Sequence, residues 1–401
     1  MQTKLWNKDF TLYWLGTAQA TFGTSLAGVA LSFLVLELTG SAASMGITLA
    51  LALAPGLLSP LAGTLVDRIP LKLPLVAGDF VRGLLMLGVW MLAEGGQLHV
   101  AALYALALLS GLIGAIYQPA AASLIPTLVP AGELARANGL LGMATQSMRL
   151  IGLVAGGWMV GQIGSAGSLA VNGVSFLVMG VLLMFVRMPR RAAPAGRGFW
   201  QDFREGFQVV RASRVISLIM VLAFFINAAF APLEMLLPVQ MQRYGVGAQG
   251  YGMFMGLMTL GMLLGSGMVA ALGARFRGQL GLALGLAGLG LSLVLLALTP
   301  SYLPSLIGSV LMGLSLGVTN TAVGLLAQTL VAPEFRGRVF GFVGAVAQIG
   351  MPLTLLLLAS VADRLPISGI FWAAGLTTLA TAAAWTLWGR ERPGIVQPKT
   401  V

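Results

Sequence analysis

The sequence predicts an all-α membrane protein of twelve transmembrane helices, built as two six-helix bundles related by pseudo-twofold symmetry. Three observations lead there. Of 401 residues, 58% are hydrophobic and 9% charged, whereas a soluble domain carries about 25% charged residues. Apolar runs long enough to cross a bilayer, which takes about 20 residues each, recur at 9–36, 43–66, 73–93, 99–125, 137–162, 168–187, 214–238, 249–273, 279–298, 302–330, 337–362 and 367–388. The halves also repeat. At an offset of 202 residues Gly111 matches Gly313, Thr127 Thr329, Arg136 Arg338, Gly139 Gly341, Gly142 Gly344 and Gln146 Gln348. An even number of spans per half makes the repeats parallel, with their axis along the membrane normal. The expected division is 1–187, a linker at 188–213, and 214–401.

The formal net charge of +11 would suggest nucleic acid in a soluble protein. Here the basic residues sit in short connections and report orientation instead. With the N-terminus inside, twenty of the 23 Lys and Arg fall at the cytoplasmic side. Both termini are therefore expected in the cytoplasm and the chain in a cell membrane, a bacterial inner membrane. Lys4 and Lys8 precede an apolar run too long for a signal-peptide core, so it is read as a retained first span. There is no Cys and a single His, His99, so neither a thiolate or imidazole metal site nor chemistry depending on those groups is expected. None of the four Lys follows a Gly, which excludes a Walker A loop. No cofactor, metal or nucleic acid is expected; the expected partners are the lipid bilayer, a small-molecule substrate and protons, with the chain a monomer.

The longest connection, 188–213, carries Arg190, Arg191, Arg197, Arg204 and Arg211, while Trp200, Phe203, Phe207 and Val210 recur at helical spacing. That pattern predicts an amphipathic helix in the inner membrane interface, tethering the halves.

Between the second and third spans, Gly63-x-x-x-Asp67-Arg68-x-x-x-Lys72 packs three charges into a short connection. Asp67 ends a helix, where the helix dipole disfavours a carboxylate, so it needs a cation or another helix's N-terminus. Gly63, one turn earlier, would let another backbone approach closely. This pattern resembles the loop 2–3 signature of the major facilitator superfamily. The resemblance implies a transporter of two six-helix bundles in which Gly63, Asp67, Arg68 and Lys72 act as a conformational latch. Around Gly265 to Arg277 the second copy keeps its Gly and basic residues but lacks the Asp, so any latch is asymmetric.

Ionisable residues within a span are costly and mark functional candidates. Arg149 lies near the centre of the fifth span, with Gly142, Thr145, Gln146, Gly152 and Gly156 on its face. The run from Arg149 to Gly157 resembles the helix 5 motif of the superfamily's exporters, with Leu153 where that motif has Pro. Arg149 has two readings: a substrate- or proton-linked group, or a structural Arg paired with helix-end carbonyls. Glu234, bracketed by Pro232 and Pro238 in the seventh span, is the other candidate for proton coupling or for pairing a cationic solute. In the superfamily helices 1, 4, 7 and 10 line the central cavity. That implies Gln19, Ser25, Tyr117, Gln118, Asn227 and Asn320 as cavity residues, with Gln146 beside Arg149. Met255, Met258 and Met262 form a stripe that suits packing or an adaptable wall. Asp79 and Arg82, three residues apart in the third span, are expected to neutralise each other.

Together these readings resemble the drug, macrolide and siderophore exporters of the superfamily. They imply proton-coupled efflux of a lipophilic or amphiphilic solute, not catalysis. An importer or facilitator of a small nutrient, or a non-transporting sensor or lipid-handling protein, are the alternatives.

Overall fold

A computed structural model describes residues 5–66, 69–188, 214–330 and 336–388, and among them all regular structure is helical. Helix α1 (Lys8–Thr39) starts where Asn7, in extended backbone, accepts the Phe10 N–H at 2.9 Å through its side chain, which satisfies one of the orphan donors of the first turn. It ends at Gly40, whose φ of 63° lets its N–H return to Leu36 O. Helix α2 (Ala42–Leu53) passes into a 3₁₀ segment, Ala54–Leu58, and then α3 (Ser59–Val66). The expected second span is therefore not one helix. Pro55 has no N–H to donate and its ring crowds the carbonyl one turn back.

Helices α4 (Lys72–Glu94) and α5 (Val100–Leu128) follow, then α6 (Leu134–Phe185). The 52 residues of α6 would measure about 78 Å as a straight helix, far beyond a bilayer core of about 30 Å. The chain breaks at Gly164, at φ 74° and ψ 169°, a conformation almost confined to glycine. The expected fifth and sixth spans thus join across a single residue. The rest comprises α7 (Arg214–Arg243), α8 (Gly247–Leu272), α9 (Gly278–Leu298), α10 (Tyr302–Leu330), α11 (Arg336–Ala359) and α12 (Ile367–Trp388). Ten helices of the described residues are long and apolar enough to cross a membrane, where twelve spans were expected. The difference lies in the broken α2–α3 segment and the fused α6. The predicted interfacial helix at 200–211 lies outside the described residues.

The chain forms two compact units, Met1–Gly196 with Val246–Met253, and Arg197–Gly245 with Phe254–Val401. Each packs two of its helices through a facing pair of glycines. In the first, a Cβ on Gly83 of α4 would lie 2.8 Å from Gly173 O of α6, and one on Gly173 would lie 3.0 Å from Gly83 O. In the second, Gly290 of α9 and Gly375 of α12 stand in the same relation, at 2.9 Å each way. A side chain at any of these four positions would push the helix axes apart.

The ends of the same helices are tied as well. Lys72 Nζ, at the start of α4, donates to Met184 O at 2.6 Å. At the start of α9, Gln279 O accepts from Trp385 Nε1 of α12 at 2.9 Å. Leu75, Ala120, Leu124, Ala137 and Leu183 belong to one buried core, and Leu282, Ala322, Leu326, Val339 and Trp385 to the other. The second set repeats the first with 202 residues between partners, except on α9, which runs 207 residues behind α4. Large apolar side chains such as Leu84, Leu291 and Leu303 point outward, as lipid contact requires.

Candidate functional site

The latch residues divide. Asp67 and Arg68 lie outside the described residues. Lys72 spends its ammonium on the carbonyl of Met184, in the last turn of α6, where a cation suits the negative helix end. Gly63 does not show the close approach expected of it among the described residues. A Cβ there would meet only Pro119 Cβ, at an ordinary 3.9 Å.

On α1, Gln19 donates to Ser175 O of α6 at 2.9 Å and accepts from Ser175 Oγ at 2.8 Å. Both ends of its amide thus join two helices. Ser25 donates to Thr21 O at 2.8 Å within its own helix, and its Cβ abuts Gly152, where an added Cβ would come within 2.9 Å. A Cβ added to Gly156 would likewise lie 2.8 Å from Leu26 Cα. These glycines bring α6 against α1, while Arg149 stays exposed at the edge of that contact and Gln146 is partly buried. Beyond Arg149 runs an apolar recess of ≈ 550 Å³, lined by Leu150, Ile151, Val154, Ala155 and Trp158.

In the second unit, Glu234 is partly buried on α7 between Pro232 and Pro238, both of which the helix accommodates. Asn227 turns its amide back to Ala223 O at 2.8 Å. Asn320 on α10 is exposed, as is Gln118 on α5. Of the Met stripe, Met255 and Met258 are buried and Met262 is partly buried, and the Met258 carbonyl lies against Gly313.

The most developed polar site is one that sequence reading set aside. Asp79, on α4 two turns from its start, is 1% exposed. It accepts a hydrogen bond from Tyr117 Oη at 3.1 Å. Arg82 stays within electrostatic range of it, as two neutralising charges should, but no ion pair at contact distance joins the two. Its guanidinium instead lies over the rings of Tyr117, 5.0 Å from the centroid, and Phe176, at 5.6 Å. One amino group reaches Ser110 O at 3.5 Å. Three residues along a helix leave two side chains as neighbours, but the aromatic face of Tyr117 offers the cation a second partner and its hydroxyl offers the carboxylate a donor. Two charges within one span were the signal in the sequence; that Tyr117 would come between them was not visible there.

Comparison with known proteins agrees with this architecture. The sequence model described as Major Facilitator Superfamily matches residues 13–277 and 235–400. Macrolide efflux protein A of Streptococcus pyogenes is 24% identical over 397 residues, covering 94% of this chain and 95% of that protein. The multidrug efflux pump Tap of Mycobacterium tuberculosis is 25% identical over 376 residues, covering 91% and 90%. Among solved structures, the nucleoside transporter NupG superposes with a TM-score of 0.80 at 11% identity, over 96% of this chain and all of that one. A bacterial homolog of the human lysosomal transporter Spinster, in its inward-facing and occupied conformation, gives 0.72 at 13% identity, over 98% of each chain. Identities of 11% and 13% convey the fold alone. The family match spans nearly the whole chain, and with the apolar helices it identifies a multi-pass membrane protein belonging to the Major Facilitator Superfamily of transporters.

Proposed function

We propose that this transporter exports a lipophilic or amphiphilic solute, such as a drug-like compound, a macrolide or a siderophore, in exchange for protons. The observation that carries the reading is the end-to-end likeness to a macrolide efflux protein, over 94% of this chain and 95% of that one. The sparse charge of the spans supports it, because a sugar or phosphate compound would call for dense polar or cationic contacts. The apolar recess beside Arg149 suits a solute with a large nonpolar surface and few polar groups.

In this reading the chain is a monomer of the bacterial inner membrane with both termini in the cytoplasm. The segments 1–187 and 214–401 act as two bundles joined by the 188–213 linker. A binding site is exposed alternately to the two sides. Glu234 exchanges protons or pairs with a cationic solute, Arg149 contacts solute or coupling groups, and Gln19, Ser25, Tyr117, Gln118, Gln146, Asn227 and Asn320 contribute polar contacts of the path. Gly63, Asp67, Arg68 and Lys72 form the latch.

Purified protein in proteoliposomes, with labelled erythromycin as probe, tests the reading. Erythromycin should accumulate in vesicles with the more acidic lumen, beyond the level in protein-free vesicles. Accumulation only with the more alkaline lumen would mean import, and no flux with either gradient would refute the reading for this probe. Glu234→Gln should lower gradient-driven transport more than erythromycin binding; unchanged transport removes Glu234 from the coupling step.

A further inference from the structure

We propose that Asp79 is a proton-exchanging group in the first unit, held by Tyr117 and balanced by Arg82. The inference rests on the proton-coupled reading above and deepens it by naming a site on α4, apart from Glu234.

Burial and partners carry the argument. A carboxyl side chain sealed to 1% exposure within a membrane helix is expensive in either charge state unless the protein provides for it. Here both states are provided for. The Tyr117 hydroxyl donates to Oδ2 at 3.1 Å, and a hydroxyl can serve an ionised or a neutral carboxyl. The Arg82 charge is kept close by the rings of Tyr117 and Phe176 without being locked to the carboxylate. A direct ion pair would fix Asp79 as an anion, whereas an adjacent cation held by aromatic faces leaves it free to gain and lose a proton.

The other groups around it are few. Tyr13 of α1, also buried, lies within electrostatic range of both Asp79 and Tyr117. The face that α6 turns toward Asp79 carries Gly180, whose added Cβ would lie 3.6 Å from Asp79 Cβ, and Phe176, and brings no ionisable group. Two buried polar atoms of neighbouring helices lie further along α4. Ser110 Oγ, on the residue whose carbonyl Arg82 reaches, and Asn172 Oδ1, on the residue whose amide touches Met86, are buried without a hydrogen-bond partner among the described residues.

The fold does not require any of this. In the second unit the register set by the glycine pairs puts Leu286 where Asp79 stands and Leu289 where Arg82 stands, and both are fully buried. Leu286 belongs to an apolar core with Leu282, Ala322, Leu326, Ala382 and Trp385. The same helix packing is therefore built there without a charge, and a costly polar cluster retained in one unit alone points to work other than holding helices together. The step is a simple transfer. A proton from water on one side bonds to an Asp79 carboxylate oxygen. In the other conformation that O–H bond breaks and the proton leaves to water on the opposite side.

Two measurements test it. In reconstituted vesicles a one-unit pH gradient can sustain about a tenfold solute ratio for a one-for-one exchange. Asp79→Asn, and the paired change Asp79→Leu with Arg82→Leu that copies the second unit, should abolish the stimulation of erythromycin transport by the gradient, and Asp79→Glu should restore part of it. Infrared titration of the detergent-solubilised protein, from about pH 5 to 9, should show a buried protonated-carboxyl band. That band should vanish in the paired Leu variant and move in Tyr117→Phe. An undiminished gradient response in the Asn or paired Leu variant, or an unchanged band in the latter, would overturn the inference. Wild-type transport indifferent to the gradient would refute the proposed function instead, while the band would still decide whether Asp79 carries the proton.

Discussion

Helices α4 and α9 do the same mechanical work in their two units. Each faces its partner helix through a glycine pair, Gly83 with Gly173 and Gly290 with Gly375. Each is tied at its start to the end of that partner, by Lys72 and by Trp385. Between these two fixed points the helices share Leu75 with Leu282 but differ in charge: Asp79 and Arg82 against Leu286 and Leu289. The packing of one helix on another is thus set by where small residues let backbones meet. What fills the intervening layer is open to other uses, provided that each polar group finds a partner.

The comparison can be broken most severely by moving the charge. Leu286→Asp, buried in an apolar core with Leu282, Ala322, Leu326 and Trp385, should cost about 3–5 kcal/mol, the penalty of an uncompensated buried charge. Thermal unfolding in detergent measures it, and a loss below 1 kcal/mol would mean that the second unit also tolerates a charge there. Gly83→Val and Gly290→Val come next. Each forces a branched side chain against a carbonyl, at about 1–3 kcal/mol for overpacking. Similar losses in the two units would sharpen the equivalence, and a marked inequality would deny it.

Smaller effects follow at single hydrogen bonds. Tyr117→Phe removes the donor to Asp79 and should cost about 1–2 kcal/mol, whereas Thr319→Val, at the place that Tyr117 holds in the first unit, removes only a back-bond to Ser315 O at 2.8 Å within α10. The Thr319 change should be nearly neutral in the same unfolding assay, and equal effects would end the contrast. Asn7→Ala strips the N-cap of α1 and the bond from Nδ2 to Leu128 O at 2.9 Å, and should cost about 1–2 kcal/mol. It is a reference outside the comparison of α4 with α9.

Much of the fold was legible in the chain because a bilayer allows few answers: runs of about 20 apolar residues must become helices. The errors came from helix interruptions. Pro55 broke a run that composition alone made continuous, and Gly164 marked a boundary that length alone made into a loop. The candidate site was less legible. Gln19 and Asn227 read as cavity residues because polar groups in spans draw attention, but that Gln19 bonds Ser175 of another helix and Asn227 a carbonyl of its own was not visible there. Asp79 and Arg82 read as a pair because they are three apart, and only the structure showed that Tyr117, 35 residues beyond Arg82, contacts both.

The repeat shows where the limit lies. An offset of 202 residues aligns Thr127 with Thr329, and both cap the same turn by donating to Leu124 O and Leu326 O. The same offset would set Asp79 against Gly281, but the glycine contacts put it against Leu286, because α9 runs five residues later. By itself the sequence determined that this chain is a bundle of apolar helices in duplicate, since hydropathy and spacing are properties of each segment alone. Only the tertiary structure decided which residues of different helices meet, because register between helices depends on where two backbones can touch.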